Sequence, residues 1–152
     1  MKRLREFFRL PSDEQWLLVK AALLLGGIKL GLRVLSFRAL RGVVERLVEV
    51  PVRLRKEDQD SVQKVVWAVE LASLYVPTTG TCLVRALAAQ VLLARRGHPT
   101  LLHIGVARKG GEGLQAHAWL ESGGKVVIGG HELGHYTPLA ALKVKAPYNR
   151  LP

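Results

Sequence analysis

Residues 81–99, TCLVRALAAQVLLARRGHP, followed at 100–108 by TLLHIGVAR, decide the fold. Leu83, Leu87 and Val91, with Val84, Ala88 and Leu92 beside them, recur at i, i+4, i+8, so the spacing predicts a helix from Cys82 to Arg96. The turn Pro77-Thr-Thr-Gly-Thr81 leads into it. Arg95 and Arg96 occupy its last turn, Gly97 suits a left-handed cap, and Pro99 blocks continuation. After Pro99 the period falls to two. Thr100–Arg108, Leu114–Glu121 and Lys125–Ile128 read as strands, the last two joined by Ser122-Gly-Gly124.

Outward from this centre the texture differs on the two sides. Residues before Tyr75 read as helices. Ser12 and Gln15 have capping-box spacing, with Asp13 and Glu14 in the first turn, and that helix weakens at Gly26-Gly27. Phe37, Leu40, Val43, Val44, Leu47 and Val48 share one face of a second helix that Pro51 closes. A third begins in Asp58–Ser61, carries Val62, Val65, Val66, Trp67 and Val69, and ends before Pro77. From Gly129 onward the chain reads as loop, with a short helix near Leu139–Val144. Helices, a central helix and then an antiparallel sheet make an α+β domain.

The 152 residues suit one compact domain. A basic, helical region 1–56, suited to partner docking or surface association, precedes a core spanning 57–152. Of the 23 basic and 12 acidic residues, 1–56 holds 13 and 5, 57–96 holds 4 and 4, and 97–152 holds 6 and 3. The excess therefore sits at the N-terminal side. Nucleic-acid binding is not expected, because the basic residues are not interleaved with aromatics and no recognition helix is legible. Lys20, Lys29 and Arg33 break the apolar stretch Trp16–Leu35, so it is no membrane span. Asp13 and Glu14 argue against a signal peptide. A membrane-surface helix fits that mixture of residues, but burial against the domain or a partner is its commoner use. One cysteine, Cys82, excludes an intramolecular disulfide and suits a reducing, cytoplasmic setting.

Cys82 is also where chemistry is expected. Unpaired N–H groups at a helix start stabilise a thiolate and, as the backbone of Cys82 itself, an oxyanion. His117, in Gln-Ala-His-Ala-Trp119, lies between two alanines that leave room for an approaching group. Gln115, His117, Trp119 and Glu121 share one strand face. A cysteine and a histidine are what acyl transfer through a thioester requires. The group orienting His117 is not Glu121, about 13 Å along the strand. The turn at 122–124 puts Gly129 or Gly130 opposite, so the orienting side chain is His131 or Glu132, or else a backbone carbonyl serves. Thr81, Trp119 and His131 are candidates for the substrate cleft.

A competing motif is His131-Glu-Leu-Gly-His135, which matches H-E-x-x-H. That pattern binds zinc when a helix sets both histidines one turn apart. Here Gly129-Gly130 precedes it, Pro138 follows closely, and no acidic residue comes after Glu132 as a third ligand. Gly105 and Gly110-Gly111 lack the Lys-Ser/Thr of a phosphate loop, and no cofactor or metal is expected.

The runs CLVRALAAQVLLARRGHP (82–99), LLHIGVARKG (101–110) and AHAWLESGGKVV (116–127) resemble the lasso-peptide leader peptidases, whose members carry a transglutaminase-like cysteine protease domain. The likeness covers about residues 60–145. It implies a papain/transglutaminase-like fold, with the family's nucleophile at Cys82 and its base at His117. The family commonly places an Asp on the strand after the histidine, where this chain has Gly129 and Gly130; either Glu132 substitutes or a dyad works alone. The resemblance further implies removal of the leader from a ribosomal precursor peptide. A small separate recognition protein would present the leader, and an asparagine-synthetase-like lasso cyclase would use the freed amine.

Overall fold

The computed structural model describes residues 2–49, 59–76, 81–108, 110–111, 113–131 and 133–144. Five helices, α1 (Lys2–Arg9), α2 (Ser12–Val34), α3 (Phe37–Glu49), α4 (Gln59–Ser73) and α5 (Thr81–Ala94), precede a sheet of four strands. These are β1 (Thr100–Arg108), β2 (Leu114–Ser122), β3 (Lys125–Ile128) and β4 (Thr137–Val144), ordered β3-β2-β1-β4. The architecture is α+β, as the change of period predicts. The turn 77–80 lies outside the described residues.

α5 is the centre. Every residue from Ala86 to Ala94 is buried, because neighbours cover it on several sides. Leu17, Leu18, Ala21, Leu25 and Ile28 of α2, and Val65, Val69 and Ala72 of α4, pack with its Val84, Leu87 and Leu92 in one core. Leu102, Ala118, Leu120 and Ile128 bring the sheet into the same core. Val44 and Val48 of α3 meet Val91 and Ala94 on a further side. A helix made of Leu, Val and Ala all round is stable only when surrounded in this way. α2 is thus part of the central packing.

Two expectations change, and a third is met without a break: α2, weakened at Gly26 and Gly27, still runs on from Ser12 to Val34. Each costs the helix about 1 kcal/mol relative to Ala, but Leu25 and Ile28 on either side are buried in the core and hold the turn together. Ser12 and Gln15 form no capping box: Pro11 is the N-cap and no side-chain cap bond forms. Gln15 Nε2 instead donates to the carbonyls of Phe7 and Leu10 at 3.1 and 2.9 Å, tying α1 to α2. Residues Leu139–Val144 are strand, not helix. Pairing with β1 from Thr100↔Val144 to Val106↔Thr137 overrides their helix propensity. Pro138 is tolerated because β4 is an edge strand and the register shifts beside it, between Ile104 and Gly105.

Candidate active site

β1 and β2 pair without a break from Thr100↔Ser122 to Arg108↔Leu114. Alternation along β2 therefore has one consequence for both faces. Ala118 and Leu120 point into the α5 core, so His117, Trp119 and Glu121 occupy the face turned away from α5. On that face the rings form a row. Trp119 stacks on His103, its cross-strand partner, with centroids 5.2 Å apart and planes 8° apart. His117 lies 6.1 Å from Trp119 and 4.9 Å from Tyr136. At the far end Glu121 Oε2 is 3.1 Å from His103 Nε2. Trp119 is 7 % exposed; it is a wall beneath the imidazole, not an open cleft residue.

Gly105 makes this arrangement possible. It sits opposite His117, and a Cβ there would stand 2.9 Å from Trp119 Cζ3 and 3.0 Å from the Thr137 carbonyl. The indole lies in the space where a side chain would be.

His117 Nε2 is 2.8 Å from the Gly129 carbonyl oxygen. A carbonyl only accepts, so Nε2 carries the proton and the neutral ring presents its lone pair at Nδ1. The backbone-carbonyl alternative is the one found for holding His117. Gly129 has φ +75, and a Cβ on it would come within 2.7 Å of the Ala118 carbonyl. The chain leaves the sheet there: β3 pairs with β2 only over Leu120–Ser122. Past that point, towards Leu114, no described strand flanks this side of β2.

Cys82 is the second residue of α5, half-buried and packed against the main core. Only residues 95–99 link α5 to β1. Cys82 packs with the core on the α5 side of the sheet, whereas His117 occupies the face turned away from α5. Among the described residues no hydrogen bond joins Cys82 to His117. Thr81 opens α5. Arg85, one turn after Cys82, forms a 2.7 Å ion pair with Glu70 of α4, which fixes the helix start against its neighbour.

Glu132 lies outside the described residues. His131 is exposed in a turn, and Leu133–His135 is a single 3-10 turn. The described part of the H-E-x-x-H run therefore has no α-helix to set its histidines one turn apart. An apolar groove of about 540 Å³ between α1, α2 and α4 is lined by none of these residues but by Phe7, Leu10, Leu18, Trp67, Leu71 and Tyr75 among others.

A half-buried cysteine opening a central helix, with a carbonyl-held histidine on the antiparallel sheet behind it, is the arrangement in question. The model of the transglutaminase-like superfamily matches residues 22–141. The chain belongs to the transglutaminase-like superfamily. The match starts inside α2 and runs to β4, so it takes in both Cys82 and His117. No curated protein and no solved structure matches the chain.

Sequence reasoning did not find Tyr136 or the His103–Glu121 pair. The pair had a signal, since antiparallel pairing of Thr100–Arg108 with Leu114–Glu121 across residues 109–113 sets residues 103 and 119 opposite one another, and Glu121 follows on the same face. Tyr136 had none, because its approach depends on the path of residues 129–136.

Proposed function

We propose that this member of the superfamily is a cysteine endopeptidase that removes the leader from a ribosomal lasso-peptide precursor. The reading rests on Cys82 at the start of α5, together with a sheet histidine whose Nε2–H is held by the Gly129 carbonyl. The proposal requires the Cys82 thiol and the His117 ring, which lie on opposite faces of the sheet, to be brought together when substrate binds; His117 Nδ1 then takes the thiol proton, and Cys82 Sγ attacks the scissile carbonyl. N–H groups at the helix start, that of Cys82 included, receive the oxyanion. His117 then protonates the leaving amine, which departs as the new N-terminus of the core peptide. Water, deprotonated by the same imidazole, hydrolyses the thioester and restores the thiol. Glu132 is a further orienting group in this reading, and Thr81 and His131 border the cleft. No metal or cofactor takes part.

Region 1–56 docks a partner in this scheme. The apolar groove of α1, α2 and α4, with Glu6, Phe7 and Leu10 on its α1 side, suits a hydrophobic segment of the separate recognition protein. The cyclase receives the freed amine. The setting is cytoplasmic, and no described helix is long and apolar enough to cross a membrane.

The test is product analysis. Precursor peptide, recognition protein and this chain are incubated and the products weighed. The proposal expects two fragments whose masses sum to the precursor plus one water, formed equally in the presence of a chelator. Intact precursor, or cleavage abolished by the chelator, contradicts it.

A further inference from the structure

One stretch of sheet edge is neither paired nor protected. β3 meets β2 only at Leu120–Ser122, so among the described residues no strand flanks Leu114–His117 on that side. The other side of the same stretch pairs with β1 without a break, as far as Arg108↔Leu114. Its backbone is therefore held extended, while half of its main-chain groups have no partner in the ladder.

Those groups point outward at alternate residues. A Cβ on Gly129, just past β3, would stand 2.7 Å from the Ala118 carbonyl oxygen, so that carbonyl faces the β3 side. In an antiparallel ladder the N–H and C=O of one residue point the same way, and the direction reverses at each step. Leu114 and Ala116 thus present both groups to the free side, whereas Gln115 and His117 direct theirs to β1.

Open edges normally carry a device against chance pairing, such as lysine, proline or a very short strand. The other free edges have one. β3 is four residues long and begins at Lys125, and β4 carries Pro138 and Lys143. Leu114–His117 has neither charge nor proline. Leu114 is 71 % exposed, with Gln115 and Ala116 exposed beside it. Only another extended main chain offers donors and acceptors at the same two-residue repeat. The edge is too short to hold two folded copies together. It suffices for a peptide whose leader is already tethered by a recognition protein, since tethering raises the effective concentration.

We propose that the precursor peptide binds by adding a strand to β2 along Leu114–His117. It exchanges main-chain hydrogen bonds with Leu114 and Ala116, and this sets its cleavage junction beside His117. The identity of the peptide rests on the peptidase reading above; the pairing rests on the ladder. Alternation also sets a preference: on the face shared by Leu114 and Ala116 the added strand is expected to carry apolar side chains.

Binding and cleavage are measured separately. Cys82→Ala protein is mixed with recognition protein and precursor, and amide hydrogen exchange is read at single residues. The Leu114 and Ala116 amides are expected to exchange at least about tenfold more slowly with precursor present, while those of Gln115 and His117, bonded to β1 throughout, change little. The parent is then given precursors N-methylated at one main-chain nitrogen at a time, outside the scissile bond. Because methylation removes a donor, KM is expected to rise at least about tenfold at every second position of the paired segment and to stay near the unmodified value between them. Ala116→Pro removes one outward donor of the protein without a bond to β1, and a rise of similar size is expected; the methylated precursors test the same bonds with unaltered protein. Protection that is absent or equal at all four amides, or a methylation series without alternation, overturns the proposal. So does protection of Leu114 and Ala116 that needs no precursor and rises with protein concentration, since a second copy would then hold the edge. Alternating protection by a precursor that the parent does not cleave would support the pairing and contradict the peptidase reading.

Discussion

Cys82→Ala is expected to lower precursor cleavage about 10,000-fold or more, because no other group in the chain can form the thioester. The thiol is half-buried at a helix start with small apolar contacts, so stability should change by less than about 1 kcal/mol. Activity and melting temperature therefore separate cleanly. His117→Ala is expected to lose about 100- to 10,000-fold, the range for a general base. It also removes the ring between Trp119 and Tyr136, so melting must be measured beside rate. His117→Gln keeps a donor for the Gly129 carbonyl but offers no basic nitrogen. If it loses as much activity as His117→Ala while melting like the parent, the loss belongs to the base and not to packing. Activity retained by either variant would remove His117 from the mechanism.

Gly129→Asp should do harm, although it puts a carboxylate where the resembling family commonly has one. The left-handed φ costs a non-glycine residue about 1–2 kcal/mol. The new Cβ would also stand 2.7 Å from the Ala118 carbonyl, a backbone atom that yields only if β2 moves. Together these amount to about 2–3 kcal/mol, or a fall of roughly 5–10 °C in melting temperature. Moving β2 at Ala118 also moves its neighbour His117. The expected result is lower stability and lower activity together. A Gly129→Asp variant that melts like the parent and cleaves faster would show that a carboxylate, not a carbonyl, is the proper partner of His117.

Much of the fold is legible because local and tertiary signals agree. The Leu83/Leu87/Val91 spacing, Gly97 with its φ of 84 and the two-residue period after Pro99 all point to a helix that stops and a sheet that starts. Where they disagree, packing wins. Leu139–Leu142 looks helical because Ala and Leu favour helix, but β1 presents a free edge that these residues fill. Gly26-Gly27 weakens α2 on propensity, and the buried Leu25 and Ile28 carry the helix through. The Ser12 box fails because Gln15 finds carbonyl acceptors at the end of α1. In the site, strand alternation places His117, Trp119 and Glu121 on one face correctly. What alternation along one strand does not give is which face α5 covers. Ala118 and Leu120, the smaller and purely apolar set, go to the helix, and this leaves the imidazole on the other side.

Reactivity at Cys82 as a function of His117 is the most direct test, because it needs neither precursor nor recognition protein. The rate of alkylation by iodoacetamide is measured at one pH for the parent and His117→Ala, with the modified peptide identified by mass. A thiol activated by that imidazole should be slowed on the order of tenfold or more by the substitution. Equal rates in the two proteins would mean that sulfur and ring do not communicate, and would contradict the proposed mechanism.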